Sequence, residues 1–279
     1  MAETAFQTQY RQEFIAGFEQ GQSYLRPATV TETVTKGNTA TFLVADTNNA
    51  EAVTRGVNGL IPARADDLNQ YSATLVEWHD KPRRTNFNIF ASQGDGRRIM
   101  QTGTRKVMNR KIDQDIISAL NTATQTAGAA TTMSLNLTMK ALTILDNNDV
   151  ETEDEDNMFF LGSGAVRAYL MQTTEFAKAD YVEIKPFVGP AIRMRRWAGF
   201  NWIFHQGLAG KGTASETCFA FHRNAIGHAV NSGEMNVSAG YNEEDDYYWA
   251  RTSIFMGSKL LQNSGVVKVL HDGSAYAPS

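Results

Sequence analysis

Cysteine is nearly absent from this sequence, and the single one, Cys218, excludes any internal disulfide. Its neighbours Thr217, Phe219 and Ala220 read as a strand, where a small buried thiol serves as core rather than as a nucleophile. No apolar run approaches the ~18 residues of a membrane span, so no membrane contact is expected. Residues Met1 to Gly17 lack the basic and apolar regions of a signal peptide, which leads us to expect synthesis and assembly in the cytoplasm. The sequons at Asn136 and Asn236 are then chance matches. A basic excess is missing too: 26 Lys and Arg stand against 30 Asp and Glu, a net charge of -4, which argues against a chain whose main task is gripping phosphates. Proximity to nucleic acid remains compatible with that balance, because small counterions can neutralise the backbone.

Constellations that carry chemistry are equally scarce. None of the five histidines (79, 205, 222, 228 and 271) forms an i, i+4 metal pair with a glutamate between, so no metal site is expected. Gly207 to Thr213 imitates a phosphate loop, but Gly212 stands where Ser or Thr must follow Lys211, and His205 stands where the first glycine belongs. Gly162-Ser163-Gly164 lacks the flanking spacing of a nucleophile elbow, and helix capping accounts for its serine. The carboxylates cluster in two runs, Glu151 to Asp156 and Glu243 to Asp246, where nothing separates their pKa values into an acid and a base. We expect no catalytic residue and no cofactor.

What is present is a core and an unusual organisation. At 279 residues with 42% hydrophobic and 20% charged, the chain can bury a substantial interior. Phe6, Tyr10, Phe14 and Phe18 recur at four-residue steps, a narrow aromatic stripe along a helix. Leu25 to Asn38, with Pro27, Gly37 and many threonines, has the composition of an extended arm that finds its stability elsewhere in an assembly, although the stripe equally suits a helix docked on its own domain. Strands are expected over Thr39 to Ala45, Ser72 to His79 and Thr85 to Phe90, with a long polar excursion from Asp46 to Tyr71 that would be an oversized loop inside a compact domain.

From Gly96 to Thr124 the apolar residues Met100, Val107, Met108, Ile112, Ile116, Ile117 and Leu120 predict a helix about 40 Å long, with Arg98, Arg105, Lys106, Arg110 and Lys111 on its polar face. Small residues over Thr122 to Ser134 mark a boundary between subdomains. Beyond it we expect a helix over Leu135 to Leu145, a strand over Met158 to Leu161 and a Ser163-capped helix through Met171. Strands follow over Ala191 to Met194, Phe200 to His205 and Cys218 to Phe221, and a long pair over Tyr247 to Gln262 and Gly265 to His271. The ensemble is α+β, a long helix on antiparallel sheet beside a separate mixed unit. The basic clusters Lys81, Arg83, Arg84 and Arg193, Arg195, Arg196 lack alternating aromatic residues for base stacking, so inter-subunit salt bridging is the favoured reading over DNA contact.

The order of these features resembles the tailed-phage major capsid fold of the Hong Kong ninety-seven type. Ser92-Gln93-Gly94-Asp95-Gly96-Arg97-Arg98 leads into a spine-like helix, and Tyr247 to Gly257 followed by Asn263 to Leu270 is similar to the closing strands of that family. The resemblance implies an N-terminal arm (1–37), an extended two-stranded loop (38–88), a peripheral domain with the spine helix (89–130 and 240–263) and a mixed α/β axial domain (131–239 and 264–279). It further implies a shell subunit that self-assembles into pentamers and hexamers of an icosahedral head around double-stranded DNA, hence a virion location. The expected partners are portal and decoration proteins and, because the arm begins almost at once, a separate scaffolding protein. Phe14, Phe18, Trp78, Lys81, Arg83 and Arg84 are the candidate inter-subunit contacts. Some members crosslink a lysine to an asparagine; Lys81 lies in the right region, but nothing identifies a partner and that chemistry is not carried over. An encapsulin-type nanocompartment shares the fold and would be told apart by a cargo-peptide groove. A soluble α+β enzyme would show convergent polar groups in a pocket.

Overall fold

The structure is a computed structural model and describes residues 21–46, 51–63, 67–91, 96–173 and 194–276. The aromatic stripe with Phe14 and Phe18 lies outside the described residues, as does Arg193.

The long helix forms as its periodicity predicts: α2 spans Gly96–Leu120 and buries Met100, Met108, Ile112, Ile116 and Leu120 along one face. That face lies on β12 (Tyr247–Leu260), whose Thr252, Ile254 and Met256 point towards it and are buried, while Arg251 and Phe255 point to the opposite side. On one flank β12 pairs antiparallel with β10 (Ile226–Asn231) and β11 (Asn236–Asn242). On the other it pairs with β4 (Val76–Asp80) and β5 (Arg83–Thr85). Those last two keep one register, from Thr252↔Asp80 to Trp249↔Arg83, and are interrupted at Pro82, which has no N–H to give to a ladder. Between β10 and β11, residues 231–235 stand opposite only Ile254 and Phe255, a bulge that lifts Glu234 out of the sheet at φ 48°. The sixth strand, β1 (Val30–Val34), lies parallel to β10 at the edge.

The second sheet is built from β6 (Met158–Gly162), β7 (Met194–Trp197), β8 (Phe200–Phe204), β9 (Glu216–His222) and β13 (Val266–His271), in the order β13-β9-β6-β8-β7. Its central strand β6 is buried at every residue, and Phe160 stacks on Trp202 with centroids 4.2 Å apart. Two helices accompany it: α3 (Leu135–Asp146), capped by Ser134 Oγ accepting from the Leu137 amide, and α4 (Gly164–Gln172), capped in the same way by Ser163 on the Val166 amide. One continuous apolar cluster joins α2, β10 and β12 to β6, β8, β9 and β13, so the two sheets share a core.

Several expectations need correction. Thr85 to Phe90 is not a strand: β5 stops at Thr85, whose Oγ1 accepts the Asn88 amide at 3.3 Å and starts the short helix α1 (Asn86–Ala91). Ser72 to His79 divides at Leu75, whose amide turns to the Asn38 carbonyl at 2.7 Å. The two long strands at the end of the chain lie in different sheets. After the 3-10 turn Asn263–Gly265 the chain crosses to the other sheet, where β13 lies antiparallel to β9. The boundary expected between residues 239 and 240 falls inside β11, and β10 belongs with β12 rather than with the second sheet. The arm expected over Leu25 to Asn38 is fastened to its own chain, because Leu25 is fully buried and β1 extends the first sheet.

Candidate functional site

A two-stranded ribbon projects from the first sheet, β2 (Thr39–Asp46) against β3 (Asp67–Thr74), paired without a break from Thr39↔Thr74 to Asp46↔Asp67, and among the described residues its own chain covers only its base. Its base is seated by alternation: Ala40, Phe42 and Ala73 turn inward and meet Ala229 and Leu261 in a small separate cluster. Two glycines allow that approach. A Cβ on Gly227 would stand 2.9 Å from the Phe42 ring, and one on Gly257 would stand 2.2 Å from the Thr74 carbonyl oxygen, a contact with backbone that cannot rotate away. Gly257→Ala is therefore expected to destabilise the chain by about 1–3 kcal/mol and to speed hydrogen exchange in β2 and β3, read by urea unfolding and exchange mass spectrometry.

Beyond the base the ribbon buries little of itself. Leu43 and Leu68 lie 72% and 70% exposed on its outer face, and at the tip Val57, Leu60 and Ile61 are exposed at 107%, 73% and 71%. The tip is a defined turn, with the Gly59 amide donating to the Gly56 carbonyl (2.8 Å), the Gly56 amide to the Leu60 carbonyl (3.0 Å) and Gly59 at φ 74°. Single exposed apolar residues are ordinary, but a run of them on one projection marks a contact surface. By composition this stretch reads as polar, yet Gly59-Leu60-Ile61-Pro62 is the signal that it holds a sticky end.

The basic candidates sit at the edge of the first sheet. Lys81 Nζ lies 4.9 Å from the Trp249 ring centroid and the Arg83 guanidinium 5.0 Å from that of Tyr247, all on the face turned away from α2. Alternation sends Arg84 and Trp78 to the other face, where Lys111 of α2 stands 3.7 Å over the Trp78 ring. The structure thus brings Lys81 and Arg83 together and separates them from Trp78 and Arg84. The aromatic residues missing beside this cluster in the sequence come from β12, which the register supplies.

Buried polar side chains tie the parts together. Asp113 of α2, fully buried, accepts hydrogen bonds from Ser23 Oγ (2.6 Å), from the amides of Tyr24 (3.1 Å) and Leu25 (3.2 Å), and from His205 Nε2 (3.1 Å). The Gly207 amide donates to His205 Nδ1, which places the proton of the neutral ring on Nε2 and aims it at the carboxylate. In the second sheet Ser163 Oγ and His271 Nδ1 both donate to Glu216 Oε2, and the Gly212 amide donates to Oε1. Burial pushes the Glu216 carboxyl up, but the bonds from Ser163, Gly212 and His271 together outweigh it and hold the group below its usual range. Ser, Glu and His are the residue types of a hydrolytic triad in the wrong order. The carboxylate, not the imidazole, takes the serine proton, and all three residues are fully buried, so no substrate reaches them. Burial likewise pushes the Cys218 thiol up to about 12, which leaves it inert.

A long helix laid on a sheet, a projecting ribbon and a mixed second unit sharing the same core define a shell subunit, the tailed-phage major capsid fold of the Hong Kong ninety-seven type. Solved structures agree. The capsid of Cyanophage P-SCSP1u superposes with a TM-score of 0.72 at 10% identity, over 96% of this chain and 93% of that one. The capsid of Ralstonia phage GP4 gives 0.70 at 10% identity over 99% and 98%, and Mycobacterium phage Adephagia 0.66 at 16% over 97% and 96%. Among curated proteins no sequence matches. The model of the family described as phage capsid protein matches residues 2–273, and the chain belongs to that family. It is a structural protein and not an enzyme, a major capsid protein that forms the phage head shell, oligomeric and located in the virion.

Proposed function

We propose that the chain assembles head to tail into pentamers and hexamers of an icosahedral head around double-stranded DNA, with the β2–β3 ribbon of each copy lying over an adjacent one. The observation that carries this reading is the ribbon itself, paired from Thr39↔Thr74 to Asp46↔Asp67, exposed on its outer face and carrying exposed Val57, Leu60 and Ile61 between its strands. Ordering such a projection costs ~1–2 kcal/mol of backbone entropy per residue, and a second copy offers the burial that its own domain does not. Contacts between unlike patches close into rings, as pentamers and hexamers require. In this reading α2 and the first sheet form the peripheral domain, and the second sheet with α3 and α4 forms the axial domain. Lys81 and Arg83 on Trp249 and Tyr247 belong to an inter-subunit contact, as do Trp78 and Arg84 on the other face and the aromatic stripe with Phe14 and Phe18. Assembly takes place in the host cytoplasm with a separate scaffolding protein, and portal and decoration proteins complete the head.

Leu60→Asp combined with Ile61→Asp tests the ribbon. Both side chains are exposed, so the stability of the unassembled chain should change by no more than about 0.5 kcal/mol. Shells, tubes and rings should disappear from electron micrographs and sedimentation profiles. A variant that assembles as the wild type does would end this reading.

A further inference from the structure

Asn58-Gly59 is the one Asn-Gly pair in the sequence, and it falls in the exposed turn between the ribbon strands. Glycine has no side chain to shield its backbone nitrogen, so the side-chain amide carbon of the preceding asparagine can approach that nitrogen closely. Every residue from 51 to 63 is exposed, and among the described residues no group holds the Asn58 side chain. Elsewhere the chain is guarded. Asn231 and Asn263 each precede a serine, but Asn231 Oδ1 accepts the Phe255 amide at 3.1 Å and Asn263 Nδ2 donates to Thr124 Oγ1 at 2.9 Å. We infer that Asn58 is a site of spontaneous deamidation in the unassembled chain, and that conversion there withdraws the subunit from assembly, a consequence that rests on the function proposed for the ribbon.

The reaction needs water alone. The Gly59 nitrogen bonds to Asn58 Cγ, the Cγ–Nδ2 bond breaks, and ammonia leaves with the proton of the Gly59 amide. Water then opens the five-membered imide: attack at Cγ gives aspartate, and attack at the main-chain carbonyl of residue 58 gives isoaspartate, whose backbone runs through the former side chain. Either product puts a negative charge into Gly56 to Pro62, a stretch that carries none, beside the exposed Val57, Leu60 and Ile61. The turn sets the rate. The nitrogen that attacks is the one whose N–H donates to the Gly56 carbonyl at 2.8 Å, so the reaction waits for that bond to open. Among the described residues the turn is closed by this bond and by the Gly56 amide on the Leu60 carbonyl at 3.0 Å, without burial to support them, so it opens readily in a lone subunit. A neighbouring copy lying over Leu60 and Ile61 holds it shut.

Unassembled full-length chain and assembled particles, kept side by side at mildly alkaline pH and then digested with trypsin, test the site. Cleavage after Arg55 and Arg64 releases a peptide in which Asn58 is the sole asparagine. Its acid form should accumulate about tenfold or more faster from the unassembled chain, because attack follows the population of the opened turn. Part of that product should accept a methyl group from an isoaspartyl methyltransferase. In Asn58→Gln, whose longer amide must close a six-membered ring, the peptide should stay unconverted and the particle yield should stay within about twofold of wild type. Asn58→Asp carries the charge from the start and should lower the yield about tenfold, since the contact then buries an unpaired carboxylate. An unassembled chain whose Asn58 persists while a synthetic peptide of residues 56–64 converts would overturn the site. Equal rates in chain and particles, or Asn58→Asp particles at wild-type yield, would overturn its link to assembly. If the Leu60 and Ile61 replacements still abolish assembly in that event, the ribbon reading stands and this inference alone fails.

Discussion

Asp113→Ala should be the most damaging single replacement in the chain, lowering stability by about 3–5 kcal/mol and the melting temperature by roughly 10 °C. The size follows from what is left behind. Four donors converge on the carboxylate, two of them the backbone amides of Tyr24 and Leu25, and in the variant all four lose this acceptor, the Leu25 amide and His205 Nε2 in buried positions. His205 cannot turn its ring to compensate, because the Gly207 amide holds its other nitrogen. Asp113→Asn keeps one oxygen but presents an NH2 to two of the four donors, so an intermediate loss is expected. Calorimetry of the unassembled chain gives the magnitude, and hydrogen exchange at residues 24 and 25 shows whether the arm detaches before the rest unfolds. An alanine variant that melts within about 2 °C of wild type, with those amides still protected, would show that the carboxylate is not the anchor.

How much of the fold is legible in the sequence depends on whether the signal is local. The α2 helix is, because Met100 to Leu120 repeats at helical spacing over several turns, and so are the two serine caps at residues 134 and 163, each ahead of an apolar run. β10 is not. Ile226–Asn231 is buried at all but its last residue and so shows no alternation, and Gly227, which reads as a breaker, is there to admit Phe42. β11 escapes notice for the opposite reason, being half-exposed and made of Asn, Ser, Gly and Ala around Val237 and Tyr241. α1 is too short to show a period. The partner of β13 is a tertiary property that its sequence does not display, and Val266, Val267 and Val269 find their burial beside β9.

The candidate contacts obey the same rule. Lys81 and Arg83 stand out as a basic cluster in any reading, but their aromatic supports lie far along the chain, and only the register of β5 on β12 joins them. The polar links are also non-local. Asp113 with His205, Glu216 with Ser163 and His271, and Asp115 with Ser258 and His228 each connect elements distant in sequence. Such links add little net stability over apolar packing, but each tolerates one arrangement only, a sound way to hold a subunit whose surfaces must fit copies of itself.

The third of those links makes the subunit sensitive to acid in a calculable direction. Ser258 Oγ donates to Asp115 Oδ2 at 2.6 Å and therefore accepts from His228 Nδ1 at 2.9 Å, leaving Nε2 buried without a partner. Burial, helped by the nearby Arg26 charge and opposed by Asp113 and Glu234, holds the His228 imidazole down at about 4, against its usual 6.5. The folded protein thus resists a proton that the unfolded chain accepts. Stability from this source is complete above pH 6.5, erodes as the pH falls and is gone by about pH 4, a loss on the order of 3 kcal/mol. Glu216 adds to the loss at the lower end, since its depressed carboxyl gives up stability as the pH falls below 4.5. Asp115 opposes it, because burial raises its carboxyl and the folded state takes that proton first. In His228→Gln the contribution of that histidine disappears while those of His222, which burial also holds down, Glu216 and Asp115 remain. Urea unfolding of the unassembled chain at pH 7.5 and pH 5 should then show wild type losing about 2 kcal/mol more than the variant over that interval. Equal losses in the two proteins would mean that His228 takes up its proton in the folded state as readily as in the unfolded one, and that the link to Ser258 is not what keeps it neutral.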